Sequence, residues 1–187
     1  MKRRLAGLAL VTLCTVSLPA AAQWYVASDL GSVRYTVTCN SGASCDNADA
    51  GVRIGGGYQL NRYLAFELST FDFGSATIRY RDPPPDGSTD TISVSGIGWS
   101  VLAILPIEHF SMYGRMGFGR VELSRVNSMA SGGNTHGDSE TRLLFGLGVA
   151  YEFTKNLAAR LEVFSAVQFI YSEQDVTQTS LGLVYRF

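Results

Sequence analysis

From Leu143 to Phe153 every second residue is bulky and apolar: Leu143, Phe145, Leu147, Val149, Tyr151 and Phe153. The residues between them are Leu144, Gly146, Gly148, Ala150 and Glu152, mostly small and ending in a charge. A period of two puts each set on one face of a β-strand. The same alternation sets Thr179, Leu181, Leu183, Tyr185 and Phe187 against Gln178, Ser180, Gly182, Val184 and Arg186. It recurs near residues 52–60, 64–69, 112–119 and 157–164. With Trp24 to Tyr35 and Thr91 to Leu105, the pattern predicts eight strands. Helical periodicity is poor, and no later segment has the ~18 consecutive apolar residues of a membrane helix.

The connections alternate in length. Asn61 to Tyr63, Pro106 to His109 and Thr154 to Asn156 predict tight turns. Thr36 to Ala50, Ser75 to Asp90, Ser124 to Glu140 and Ala166 to Asp175 predict long polar loops, rich in turn formers such as Pro83-Pro84-Pro85-Asp86-Gly87.

The first 22 residues read as a secretory signal peptide. Lys2, Arg3 and Arg4 precede an apolar stretch from Leu5 to Leu18, and Ala20 and Ala22 form an A-x-A cleavage site. The expected mature domain is 23–187. Losing three basic residues leaves 12 against 16 acidic ones, a net charge of −4. That balance gives no support to nucleic-acid binding. Cys14 leaves with the leader, so two cysteines remain, Cys39 and Cys45. An even count in an exported chain favours a disulfide over two free thiols. Metal binding there is weaker, with no His nearby.

Alternation alone does not say which face points inward. An eight-stranded barrel has an interior just wide enough for side chains. Eight strands pointing Leu, Phe, Tyr and Trp inward would overfill it, whereas the glycine-rich face fits. Arg53, Glu67, Arg115, Arg142, Glu152, Arg160, Glu162 and Arg186 all fall on that small-residue face. The expectation is therefore inverted: charges pair inside and apolar side chains meet lipid, where an Arg at mid-bilayer would cost ~2–4 kcal/mol. Solvated charges on a soluble sheet are the competing reading, which the leader and the aromatics oppose. Arg120 is an exception on the apolar face, near the long-loop end. Trp24, Tyr58, Trp99, Tyr151, Phe153, Tyr185 and Phe187 are expected as membrane-interface aromatics.

The leader, the eight alternating strands, the loop asymmetry and the terminal Gly182-Leu183-Val184-Tyr185-Arg186-Phe187 resemble the small outer-membrane barrels of Gram-negative bacteria, such as the OmpA transmembrane domain and OmpX-like proteins. The resemblance implies an all-β, eight-stranded antiparallel up-and-down transmembrane barrel in the cell outer membrane, with short periplasmic turns and long extracellular loops. Glu67 and Arg160-Leu161-Glu162 match the family's inward charges. Phe187 resembles the signal read by the barrel-assembly machinery. Expected partners are outer-membrane lipid and lipopolysaccharide; the barrel is expected to be a monomer with no nucleic acid and no cofactor. The sequence ends at Phe187 without a peptidoglycan-binding domain, so cell-wall tethering is not expected.

The resemblance is specific for fold and poor for activity. The leading expectation is a non-enzymatic protein with a structural, envelope-integrity or surface-interaction role through its loops. A small-solute channel is the alternative, and a lipid-modifying enzyme is weaker. His109-Phe110-Ser111 has an H-x-S spacing seen in lipid A deacylases, but it falls at a periplasmic turn. His136-Gly137-Asp138-Ser139-Glu140 is crowded into one expected loop, whereas a triad needs a base held within ~2.6–3.2 Å of its nucleophile. No catalytic or metal site is assigned; G-x-S-x-G, H-E-x-x-H and P-loop motifs do not occur.

Overall fold

A computed structural model describes residues 23–35, 43–46, 48–80, 89–128, 134–167 and 176–187. The leader and Cys39 lie outside these residues. The strands are β1 (Gln23–Tyr35), β2 (Ala43–Asp46), β3 (Ala48–Asn61), β4 (Leu64–Tyr80), β5 (Thr89–Ile107), β6 (Phe110–Ser128), β7 (Asn134–Glu152), β8 (Leu157–Val167) and β9 (Val176–Arg186). Every pairing is antiparallel, and, apart from the short β2, which pairs with β4, each strand pairs with the long strands before and after it. β1 pairs with both β3 and β9, which closes the sheet on itself. The short β2 continues the β3 stave upward along β4, with Cys45 opposite Ile78. The result is an eight-stranded barrel with no edge at membrane depth, as lipid requires.

The inversion holds through most of its height. Leu147, Leu181 and Leu183 are 72%, 64% and 56% exposed on the outside, while Arg53, Glu67 and Arg160 are 0%, 2% and 3% exposed within. On β6 the outward apolar run from Phe110 to Phe118 spans nine residues, as a tilted membrane strand needs.

The strands do not stop where the apolar belt stops. β4, β5, β6 and β7 run on into stretches expected as loops, so the connections after β4 and β6 are shorter than the sequence suggested. The physical reason is a reversal of the pattern. Above the belt, Val33, Phe71, Phe73, Ile92, Val94 and Val121 point inward and are buried. Arg34, Asp72, Ser93, Arg120 and Glu122 point outward. That segment is built like a soluble barrel, apolar inside and polar outside, so it carries no lipid-facing alternation. His136 to Glu140 belong to β7, paired to β6 with Arg125 opposite His136 and Val121 opposite Glu140; they are not a loop.

Candidate functional site

The interior has three levels. The central level is ionic. Asp29 from β1, Arg53 from β3, Glu67 from β4, Arg115 from β6, and Arg160 and Glu162 from β8 converge there. They form a closed ring of alternating charge. Asp29 meets Arg53 at 3.0 Å, Arg53 meets Glu162 at 2.7 Å, and Glu162 meets Arg115 at 2.8 Å. Arg115 meets Glu67 at 2.8 Å, Glu67 meets Arg160 at 2.9 Å, and Arg160 returns to Asp29 at 2.6 Å. Three guanidinium groups balance three carboxylates, so the ring is formally neutral. Forked geometry strengthens it: Arg53 donates from Nη1 and Nη2 to the two Glu162 oxygens, at 3.0 and 2.7 Å. Tyr25 donates its hydroxyl to Glu67 at 3.1 Å, and Tyr113 donates to Glu162 at 2.7 Å.

Glycines make the room. A Cβ at Gly57 would lie 2.1 Å from the Tyr25 ring, and one at Gly148 would lie 2.5 Å from the Tyr113 ring. At Gly182 it would fall 2.0 Å from an Asp29 carboxylate oxygen. Tyr25, Tyr113 and Asp29 each therefore face a glycine on the neighbouring strand. This is why the small-residue face is also the charged one.

The upper level is an aromatic seal. Phe71, Phe73 and Phe164 are buried, with ring centroids 5.0, 5.9 and 6.0 Å apart. The Arg53 guanidinium lies 4.5 Å from the Phe164 centroid, which joins the seal to the ring by a cation–π contact. The lower level is hollow. Ala65 and Ala150 leave a vestibule of about 220 Å³ below Tyr25 and Tyr113, lined also by Arg62, Glu152 and Arg186 at the short-turn end. Ions entering that vestibule meet first the neutral ring and then the phenylalanines.

Of the remaining charges expected inside, Arg142 is buried above the ring, while Glu152 and Arg186 lie at the short-turn end. Arg186 pairs with Glu152 at 2.9 Å, partly exposed at the vestibule, and Arg142 pairs with Glu140 at 3.5 Å. Six of the seven expected interface aromatics gather at the short-turn rim. Trp24 packs on Tyr58 at 4.9 Å, Tyr151 on Phe153 at 5.1 Å, and Tyr185 on Phe187 at 5.3 Å. Phe110, not expected from sequence, joins Tyr151 at 4.8 Å. Trp99 lies at the opposite rim, against Phe118 at 5.9 Å. His109 is exposed in the β5–β6 turn, while Ser111 points into the vestibule.

Asp29 was absent from the expected charge set. Its parity with Tyr25, Ala27, Val33 and Tyr35 was the available signal. On β1, however, the outward face mixes Val26 and Leu30 with Ser28, Ser32 and Arg34, which blurs the alternation. Tyr25 and Tyr113 were missed as network members because a tyrosine on the inner face reads as filler.

A closed barrel with a greasy exterior, a rim of aromatics and a neutral ionic interior defines a small outer-membrane β-barrel protein. Residues 6–187 match a family model described as the outer membrane protein beta-barrel domain, and the chain belongs to that family. It is 30% identical over 175 residues to outer membrane protein A of Escherichia coli O157:H7, covering 88% of this chain and 47% of that protein. The Shigella flexneri protein of the same name is 28% identical over 88% of this chain and 48% of its own length. The chain thus spans about half the length of the curated relatives it matches. Among solved structures it is similar to Neisserial surface protein A, with a TM-score of 0.60 at 16% identity, covering 88% of this chain and 97% of that one. The attachment invasion locus protein Ail of Yersinia pestis, solved with the heparin analogue sucrose octasulfate, gives 0.59 at 16% identity, covering 89% and 99%. The chain resides in the outer membrane.

Proposed function

We propose that this barrel is a surface-contact protein, in which the membrane segment is a rigid, sealed mount for a polar sheet held above the outer leaflet. One observation carries the reading. β5, β6 and β7 are 19 residues each and rise well past the apolar belt as a paired extension. Its outer surface is polar, with Ser93, Ser95, Glu122 and Ser139. Among the described residues, β7 above Leu143 pairs with β6 up to Asn134 opposite Asn127. A conducting pore is the weaker reading, since the ring and the phenylalanine seal both cross the lumen.

The test shortens the β6–β7 extension by removing residues 124–137 and joining Leu123 to its partner Asp138 with a two-residue turn. Cells carrying the shortened protein are expected to lose surface binding while envelope permeability to detergent stays unchanged. Retained binding with raised permeability would contradict the reading and favour an envelope-integrity role.

A further inference from the structure

The vestibule at the short-turn end is blind. Tyr25, Tyr113 and Arg160 roof it. Their polar ends are already taken: the tyrosine hydroxyls donate to Glu67 and Glu162, and Arg160 donates to Asp29 and Glu67. The roof therefore offers aromatic rings and no spare charge. Below it the wall is an apolar collar of Ala65, Leu102, Ile104 and Val184. The ionic ring and the phenylalanine seal stand above, so a molecule that enters leaves the way it came.

The mouth has different chemistry. Arg62, Glu152 and Arg186 line it, and Arg186 is paired with Glu152 at 2.9 Å. Arg62 is exposed, lies 4.7 Å from the Tyr63 ring centroid and donates to the Tyr63 hydroxyl. Among the described residues it enters no ion pair. Two guanidinium groups against one carboxylate leave the mouth with one uncompensated positive charge. Ser111 is a second, independent pointer to a ligand. It is 8% exposed and lines the vestibule, and its hydroxyl makes no hydrogen bond among the described residues. A buried polar group is ordinarily partnered, and a ligand oxygen would supply the partner.

We propose that the vestibule binds a small organic monocarboxylate from the short-turn, periplasmic side. Its apolar body lies inside the collar under Tyr25 and Tyr113. Its carboxylate stays at the mouth on Arg62, whose planar fork fits the two oxygens, with Ser111 as a further donor. One carboxylate cancels the spare charge. The volume sets the size: a dry cavity of about 150 Å³ takes a benzene ring, so about 220 Å³ takes a body of roughly nine carbons. The site holds its ligand and does not conduct it. The inference is independent of the surface-contact reading.

The full barrel, labelled at its alanine methyls for NMR, is held in phosphatidylcholine nanodiscs. It is titrated with phenylpropionate, with the uncharged phenylpropionamide, with the cation phenylpropylamine, and with acetate. Ala65 and Ala150 line the vestibule, whereas Ala166 is buried with the phenylalanines of the seal. Phenylpropionate is expected to shift the Ala65 and Ala150 methyls saturably and to leave Ala166 in place. Arg62→Gln and the loss of charge in the amide each weaken binding about fivefold or more, and Arg62→Lys restores part. Ser111→Ala, which removes no hydrogen bond within the barrel, weakens it about twofold or more. Ala150→Leu fills the collar and abolishes the saturable shift. Heat-modifiable migration of each variant in detergent gels reports that the barrel is folded. An unchanged midpoint in folded Arg62→Gln would overturn the proposal. So would equal binding of phenylpropylamine, which needs no positive mouth, or of acetate, which needs no collar. A shift that never saturates and persists in folded Ala150→Leu would mark partition into the lipid and overturn it too.

Discussion

Asp29 and Arg160 are 131 residues apart in sequence and meet in a two-pronged pair, Nε to Oδ1 at 2.7 Å and Nη2 to Oδ2 at 2.6 Å. Both are buried, and their strands are separated by β9, whose Gly182 has no side chain to obstruct the contact. The pair closes the alternating ring, so its loss leaves a charge uncompensated inside the barrel. Asp29→Asn is expected to destabilise the folded barrel by about 3–5 kcal/mol. Urea unfolding in lipid vesicles measures this. Combining it with Arg160→Met in a double-mutant cycle should reveal strong coupling; two additive effects would show that the pair does not act as a unit.

Tyr25 occupies the space above Gly57. Gly57→Val drives two methyl groups into that ring, and overpacking of this kind costs about 1–3 kcal/mol. Adding Tyr25→Ala removes the clash but also the hydroxyl on Glu67. The double variant should therefore recover only part of the loss in the same unfolding measurement. A fully stable Gly57→Val single variant would contradict the packing described.

Two seals cross the lumen, one ionic and one aromatic. Planar-bilayer recording of the purified barrel is expected to show no sustained open level. A stable, ohmic conductance would restore the channel alternative.

Above the belt, Asp49 accepts the Ser75 N–H at 2.6 Å and the Ala50 N–H at 2.7 Å. Those backbone donors, Ser75 first, hold its carboxyl below the usual carboxylate range. A lowered folded pKa means that the stabilising contact is complete above the ordinary Asp value near ~3.9. It is lost as pH falls through the lower folded value. NMR titration of the Asp49 carboxyl carbon should give a midpoint below that of a free Asp. A midpoint at or above the free value would contradict the bond to Ser75. Next to it Gly74 has φ 71°, and a Cβ there would lie 2.5 Å from Asp49, so this corner also requires glycine.

The membrane belt was readable from sequence because lipid imposes one rule on every strand it touches: apolar outside, small or charged within. Leu143–Phe153 and Thr179–Phe187 obey it, and so do Arg53, Glu67, Arg115, Arg160 and Glu162. The rule reverses above the leaflet. Ile92, Val94 and Val121 face inward while Ser93, Ser95 and Arg120 face outward, and the polar strand ends beyond them, 75–80, 124–128 and 134–140, lack the lipid-facing alternation and read as loops. Phe71 and Phe73 form the seal from within that reversed segment. The closure of the ionic ring was not legible for a different reason. Parity gives the face of each charge but not its height, and register between strands decides which charges meet.

The account turns on which face meets lipid, and tryptophan quenching by brominated acyl chains tests that most directly. In a background without Trp24 and Trp99, Leu147→Trp and Leu181→Trp are expected to be strongly quenched in dibrominated-lipid vesicles, and Glu122→Trp only weakly. Shielded tryptophans at 147 and 181 would contradict the account.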